Sequence, residues 1–193
     1  MYFTSNTLLS ILAAASLTAA NPTEKRADLQ NWQLESLSTH SPSGRPGNYP
    51  WLTVTATVND PNELTLGTSG SDNSTVKLPV GGKALNCQAK WISPDSAYGH
   101  RWPCDNTGAT DGYWFMDVVE VSGGSPTNNF DLKFTRVAQQ LYRGELFEKK
   151  YEGQAHFGLG ADGNLAGSCG GSGVCNWGLK EEKTPFPIQQ KEI

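Results

Sequence analysis

Four cysteines, three histidines and a scatter of carboxylates are the residues of this chain with chemistry to offer, and their spacing decides among uses. Cys87, Cys104, Cys169 and Cys175 are even in number, and an even set in a secreted chain reads as disulfides. Three pairings exist. Cys87 and Cys104 bracket a polar excursion between two strand-like runs, while Cys169 and Cys175 enclose only Gly170 to Val174, so the local pairs 87–104 and 169–175 are favoured. A zinc site fails on spacing, because no CxxC pair or nearby histidine completes four ligands.

Nucleophilic and acid–base chemistry finds as little. His40, His100 and His156 have no serine in a GxSxG elbow to serve, since the surroundings of Ser168 and Ser172 lack the required glycine. His156, in Gln154-Ala155-His156-Phe157, reads as an outward-facing strand residue. Gly158 to Gly163 matches GxGxxG, but a dinucleotide site needs that motif between a strand and a helix. Here Asp162-Gly163-Asn164 reads as a hairpin connection between strands. A glycosidase needs two carboxylates about 5 to 10 Å apart across a groove. Asp117 with Glu120, or Glu145 with Glu148, could be tried, yet Asp117 and Glu120 have opposite strand parity and read as solvated charge. A histidine-brace copper enzyme must begin with His, whereas the mature chain is expected to begin at Asn21 or Ala27. No cofactor or metal is expected. Among the six tryptophans, Trp51 and Trp102 each stand beside a proline at a strand edge and are the best candidates for exposed, partner-binding aromatics; the rest read as core.

Strands must position whatever these residues do. Leu52, Val54, Ala56 and Val58 alternate with Thr53, Thr55 and Thr57, the period of a half-buried strand. The alternation recurs in Leu85-Cys87-Ala89-Trp91, in Tyr113-Phe115 against Trp114-Met116-Val118, in Phe130-Leu132-Phe134 and, more briefly, in Val76-Leu78-Val80. Gly, Pro, Asn and Asp cluster between these runs, notably from Ser41 to Pro50 and from Pro94 to Gly99. Only Val137 to Lys150 is long enough for a helix, but Gly144 interrupts it and no apolar face forms, so at most a helical turn is expected there. The fold class is therefore all-β, an antiparallel barrel or sandwich with two local disulfides.

Leu8 to Leu17 is a ten-residue apolar run followed by the small residues Thr18, Ala19 and Ala20, which reads as a secretory signal over 1–20 cleaved after Ala20. Lys25-Arg26 fits either the end of a short propeptide over 21–26 or an exposed charged linker; residues 27–193 then form a single domain. A formal charge of −4 supplies no positive field for nucleic acid or an anionic membrane, and neither partner is expected. Asn73-Ser74-Thr75, inside a polar turn, is an expected N-glycosylation site.

The run Asn86-Cys87-Gln88-Ala89-Lys90-Trp91, then Trp102-Pro103-Cys104, then Gly112-Tyr113-Trp114-Phe115, resembles the secreted fungal Alt a 1-like family, typified by the major allergen of Alternaria. The likeness extends diffusely over Gln30 to Ile193, with a strand like Phe130 to Phe134 and a second disulfide matched by Cys169 and Cys175. It implies a β-barrel and a non-enzymatic extracellular effector or elicitor that engages a host protein, a plant defence protein above all. The early cysteine that links two chains in the allergen members is missing here, which implies a monomer or a non-covalent dimer. Pro61 to Val80 reads as an insertion relative to that pattern. A secreted carbohydrate-binding module using exposed Trp, and a small secreted hydrolase, are the alternatives. Recognition is expected to fall on the turns Ser41 to Pro50 and Pro94 to Arg101.

Overall fold

A computed structural model describes residues 29–106 and 109–193. The expected signal and processing positions Ala20, Lys25 and Arg26 lie outside the described residues. Among the described residues thirteen strands follow one another: β1 (Trp32–Ser41), β2 (Leu52–Asp60), β3 (Leu64–Thr68), β4 (Thr75–Leu78), β5 (Gly82–Trp91), β6 (Arg101–Pro103), β7 (Gly112–Val119), β8 (Asn129–Tyr142), β9 (Glu145–Gly158), β10 (Leu165–Cys169), β11 (Cys175–Leu179), β12 (Phe186–Ile188) and β13 (Gln190–Glu192). A 3-10 turn, Glu181–Lys183, precedes β12. The all-β expectation holds.

One sheet runs β10-β11-β1-β2-β5 with β12 also on β1; the other runs β13-β9-β8-β7-β6, and every ladder in both is antiparallel. Their facing sides carry the alternating apolar residues. Val54, Ala56, Val58, Ala89 and Trp91 come from the first sheet, and Trp114, Met116, Phe130, Phe134 and Phe157 from the second. Each such aromatic or aliphatic side chain contributes roughly 1.5 to 3 kcal/mol by leaving water. The sheets do not close into a barrel but are laced along both seams. On one side Cys87 of β5 is bonded to Cys104 just after β6, beside a bridge between Leu85 and Asp105. On the other, β12 pairs with β1 and β13 with β9, so one short segment stitches the two sheets together. Cys169 and Cys175 face each other across the β10–β11 hairpin and are also bonded. Both local pairings are as expected.

Four local readings are corrected. Val137 to Lys150 holds no helical turn: it is the end of β8 and the start of β9, joined at Arg143-Gly144, both with positive φ (50° and 83°). Gly144 interrupts a helix pattern because it is the turn residue of a two-residue hairpin loop. Leu85 does not share the buried face with Cys87, because β5 carries one extra residue, Leu85 and Asn86 standing opposite Thr57 alone, with Asn86 at φ 45°, and the bulge turns Leu85 outward. Val80 lies past the end of β4 and is 66% exposed. The Asp162-Gly163-Asn164 turn joins β9 of one sheet to β10 of the other, so it is a crossing between layers and not a hairpin.

Pro61 to Val80, the apparent insertion, folds as the hairpin β3–β4 and adds Leu64, Leu66, Val76 and Leu78 to the core. It lies against the far ends of β8 and β9, with Gly67 against the Phe147 ring. Asp72 in its turn accepts from the Tyr142 hydroxyl (3.0 Å) and pairs with Arg143 (3.2 Å). The unusual length of the β8–β9 hairpin thus has a packing partner.

Candidate functional site

Register places one set of loops together. Ser41 pairs with Cys175, Leu52 with Trp91, and Val119 with Asp131, so the segments 42–51, 92–100, 120–128 and 170–174 all leave the sandwich at the same end. They also touch across it. Thr39 at the head of β1 donates through Oγ1 to the Thr127 carbonyl (2.7 Å), Tyr98 bridges to Val118, and a Cβ at Gly173 would meet Ser43 at 3.7 Å. Both turns expected to carry recognition, Ser41 to Pro50 and Pro94 to Arg101, belong to this end.

The 42–51 loop is braced from within: Asn48 donates through Nδ2 to Ser43 Oγ (2.8 Å) and through its backbone to the Arg45 carbonyl (3.2 Å), with Gly44 and Gly47 supplying φ of 70° and 82°. That bracing sets out Tyr49, which is 54% exposed, and Trp51. On the outer face of the first sheet, Lys90 reaches under both rings, its Nζ 5.0 Å from Trp51 and 5.7 Å from Tyr49. His40, two strands away, meets Tyr49 edge-on at 5.8 Å and is tied through Nδ1 to Asn176 Oδ1 at 2.8 Å. A cation lying on two aromatic faces is worth about 0.5 to 1 kcal/mol at such an exposed site. The arrangement offers flat apolar area with a positive charge behind it.

Trp51 and Trp102 are both half-buried, but the structure does not bring them onto one face. Trp102 shares its register position with Met116, so it leans over the core edge of the second sheet, its Nε1 donating to the Ala97 carbonyl at 3.4 Å. Trp32, Trp91 and Trp114 are buried, and Trp177 is half-buried on β11. No coplanar tryptophan platform is formed by the six.

The other chemistry-bearing residues are accounted for by local partners. Asp117 lies between Arg101 (3.4 Å) and Lys133 (3.5 Å), and Lys133 reaches on to Glu152 (3.7 Å), a cross-strand charge ladder on the outer face of the second sheet. Arg101 also lies over the Phe115 ring at 5.3 Å. His156 is exposed on that face, as expected, with Nδ1 2.7 Å from Asp131. Glu145 and Glu148 are exposed at the opposite end. Tyr98, beside the charge ladder, is less acidic than an ordinary tyrosine, chiefly because burial disfavours its phenolate and secondarily because of the Glu120 charge. Asn73 is exposed in the β3–β4 turn with φ 56°, at the end away from the 42–51 and 92–100 loops.

The feature that sequence reading missed is a charge inside the core. Arg136 is 1% exposed, with Nη1 2.6 Å from Asp60, which is wholly buried, and Nη2 2.8 Å from Asp111. Its guanidinium stacks over Trp114 at 5.4 Å. Asp60 further accepts from the backbone and side chain of Asn62 (3.0 and 2.6 Å), and Asn62 in turn holds both backbone groups of Gln30. A signal existed: Arg136 has the same parity as Phe130, Leu132 and Phe134, a cation in phase with the core. Among the described residues no cluster of three or more His, Cys, Asp or Glu is arranged to hold a metal ion, and no helix is long and apolar enough to cross a membrane. No family model, curated protein or solved structure matches the chain.

Proposed function

We propose that this chain is a secreted, non-enzymatic recognition protein of the effector type, whose loop-bearing end docks on an extracellular protein of a plant host. The observation that carries the reading is the convergence of four loops at one end of a rigid sandwich, with Tyr49 and Trp51 presented on Lys90. An exposed tyrosine and a half-buried tryptophan backed by a cation are residue types that anchor protein interfaces, and loops on a fixed scaffold are where recognition surfaces are built. Two disulfides fit an oxidising compartment. The resemblance of the Cys87–Trp91, Trp102–Cys104 and Gly112–Phe115 segments to the Alt a 1-like family supports the effector class. An N-glycan on Asn73 belongs to the same reading, since it would stand at the other end and leave these loops uncovered.

The test is capture from plant extracellular fluid by the oxidised mature chain, in parallel with the Tyr49→Ala/Trp51→Ala double variant. A saturable host protein retained by the wild type and reduced at least tenfold by the double variant is the expected result. Retention on chitin or cellulose instead, lost in the same variant, would replace the effector reading with the carbohydrate-binding one. Equal capture by both forms would remove this end of the molecule from consideration.

A further inference from the structure

A cleft opens on the second-sheet side of the loop-bearing end, between the 98–101 segment, the end of β7 and β8. Its volume of about 500 Å³ is in the range of small-molecule sites. Asp117 and Glu120, which strand parity sets apart, both line it, because β7 ends at Val119 and Glu120 lies beyond the strand. Tyr98, His100, Arg101 and Lys133 complete its polar lining.

Charge in this lining is balanced and held in place. Arg101 and Lys133 converge on Asp117 at 3.4 and 3.5 Å, Lys133 is steadied on its far side by Glu152 at 3.7 Å, and the Arg101 guanidinium is seated on the Phe115 ring. Two cations and two carboxylates line the cleft, so no unmatched charge calls for a charged ligand. Hydrogen-bonding capacity is left over, because a guanidinium and an ammonium carry more N–H groups, and a carboxylate more lone pairs, than these contacts use. Tyr98 adds a group that the fold leaves unserved: its hydroxyl is shielded from solvent and has no hydrogen-bond partner among the described residues. That phenol is less acidic than usual first through burial and then through the charge of Glu120, which sets the carboxylate nearby with no bond between them. A ligand hydroxyl placed between the two would accept from the Tyr98 O–H and donate to the Glu120 carboxylate. Fixed donors and acceptors side by side suit a molecule whose polar groups each do both. We infer that this cleft binds one unit of a neutral saccharide, its hydroxyls bonded by Tyr98, Glu120, Arg101, Asp117 and Lys133. The site does not use Tyr49 or Trp51 and does not depend on what those residues recognise.

The experiment is an amide-resolved NMR titration of the oxidised chain with the methyl glycosides of glucose, galactose, mannose and xylose, beside cyclohexanol, glucuronate and glucosamine. At least one glycoside is expected to shift the amides of 98–101 and 117–120 saturably and to bind at least fivefold more tightly than cyclohexanol, with neither charged sugar favoured over it. Tyr98→Phe, which removes a hydroxyl that no other group uses, should weaken that binding by about three- to tenfold, and Glu120→Ala by about tenfold; unchanged amide spectra away from the cleft confirm that both variants fold. The Tyr49→Ala/Trp51→Ala variant should bind the glycoside like the wild type. No glycoside binding, shifts confined to other parts of the chain, unchanged affinity in both Tyr98→Phe and Glu120→Ala, or a tenfold preference for a charged sugar would overturn the assignment. Loss of glycoside binding in Tyr49→Ala/Trp51→Ala would overturn it too, by placing the sugar on the 42–51 loop.

Discussion

The buried Arg136 is the residue on which most depends. A guanidinium and carboxylate removed from water are costly unless fully paired, and taking away one partner leaves the other charge stranded. Asp60→Ala should therefore destabilise the chain by about 3 to 5 kcal/mol in urea unfolding, whereas replacing the pair together, Asp60→Leu with Arg136→Met, should recover much of that loss. Gly82 is tied to the same group. A Cβ at that position would overlap the Arg136 guanidinium, which two carboxylates hold in place and which cannot swing aside. Gly82→Ala should cost about 1 to 3 kcal/mol through overpacking, while Gly47→Ala should act only through the strained positive φ of an open loop and cost less, the comparison being read in the same unfolding series.

Among the elements, the β3–β4 hairpin is held to β8–β9 by a contact that responds to acid. The Asp72 carboxyl is more acidic than usual, first because the Ser74 backbone N–H bonds its ionised form and, less strongly, because the Tyr142 hydroxyl does. A carboxylate whose pKa is lowered by folding contributes stability that is present above its unfolded value and is lost as pH falls through the folded one. Amide exchange of Leu64 to Leu78 should accordingly quicken, relative to β2, as pH drops below the ordinary carboxylate range, and Asp72→Asn should remove that pH dependence. The two disulfides should rank by the loops they close. In the chain-entropy account the 17-residue separation of Cys87–Cys104 is worth about 3 kcal/mol and the 6-residue separation of Cys169–Cys175 about 2. Paired Cys→Ser variants should show that order in thermal melts. Strand alternation made most of these elements legible, since Val54-Ala56-Val58 and Trp114-Met116-Val118 are buried as their period demands. What alternation could not show was the bulge that turns Leu85 out, because a backbone insertion leaves no mark in hydrophobicity, or the role of Gly144, whose turn chemistry looked like a broken helix.

At the scale of the described residues, two large sheets meet along seams closed by a few residues, with the β3–β4 hairpin packed at one end. Removing 186–193 would unpair β12 from β1 and β13 from β9 and uncover Trp32 and Phe157, which lie against Ile188 and Phe186. Such a truncation should retain strand content by far-UV circular dichroism but bind a hydrophobic dye and lose its cooperative melt. The site at this scale was only half legible. The turn from Ser41 to Pro50 announced itself in glycine and proline, but its convergence with 92–100, 120–128 and 170–174 is a matter of register between distant strands.

The pairing of Trp32 with Ile188, reinforced by the Gln190 amide donating to the Gln30 carbonyl across 160 positions, also governs how the chain reaches its final shape. The first strand waits for a partner made after nearly all the others, so the native topology is dominated by non-local contacts and its folding belongs to the slow, millisecond-to-second regime. Cys87 is wholly enclosed once the layers meet. Its thiol is therefore open to an oxidant only before the layers meet, which sets the bond with Cys104 ahead of that closure.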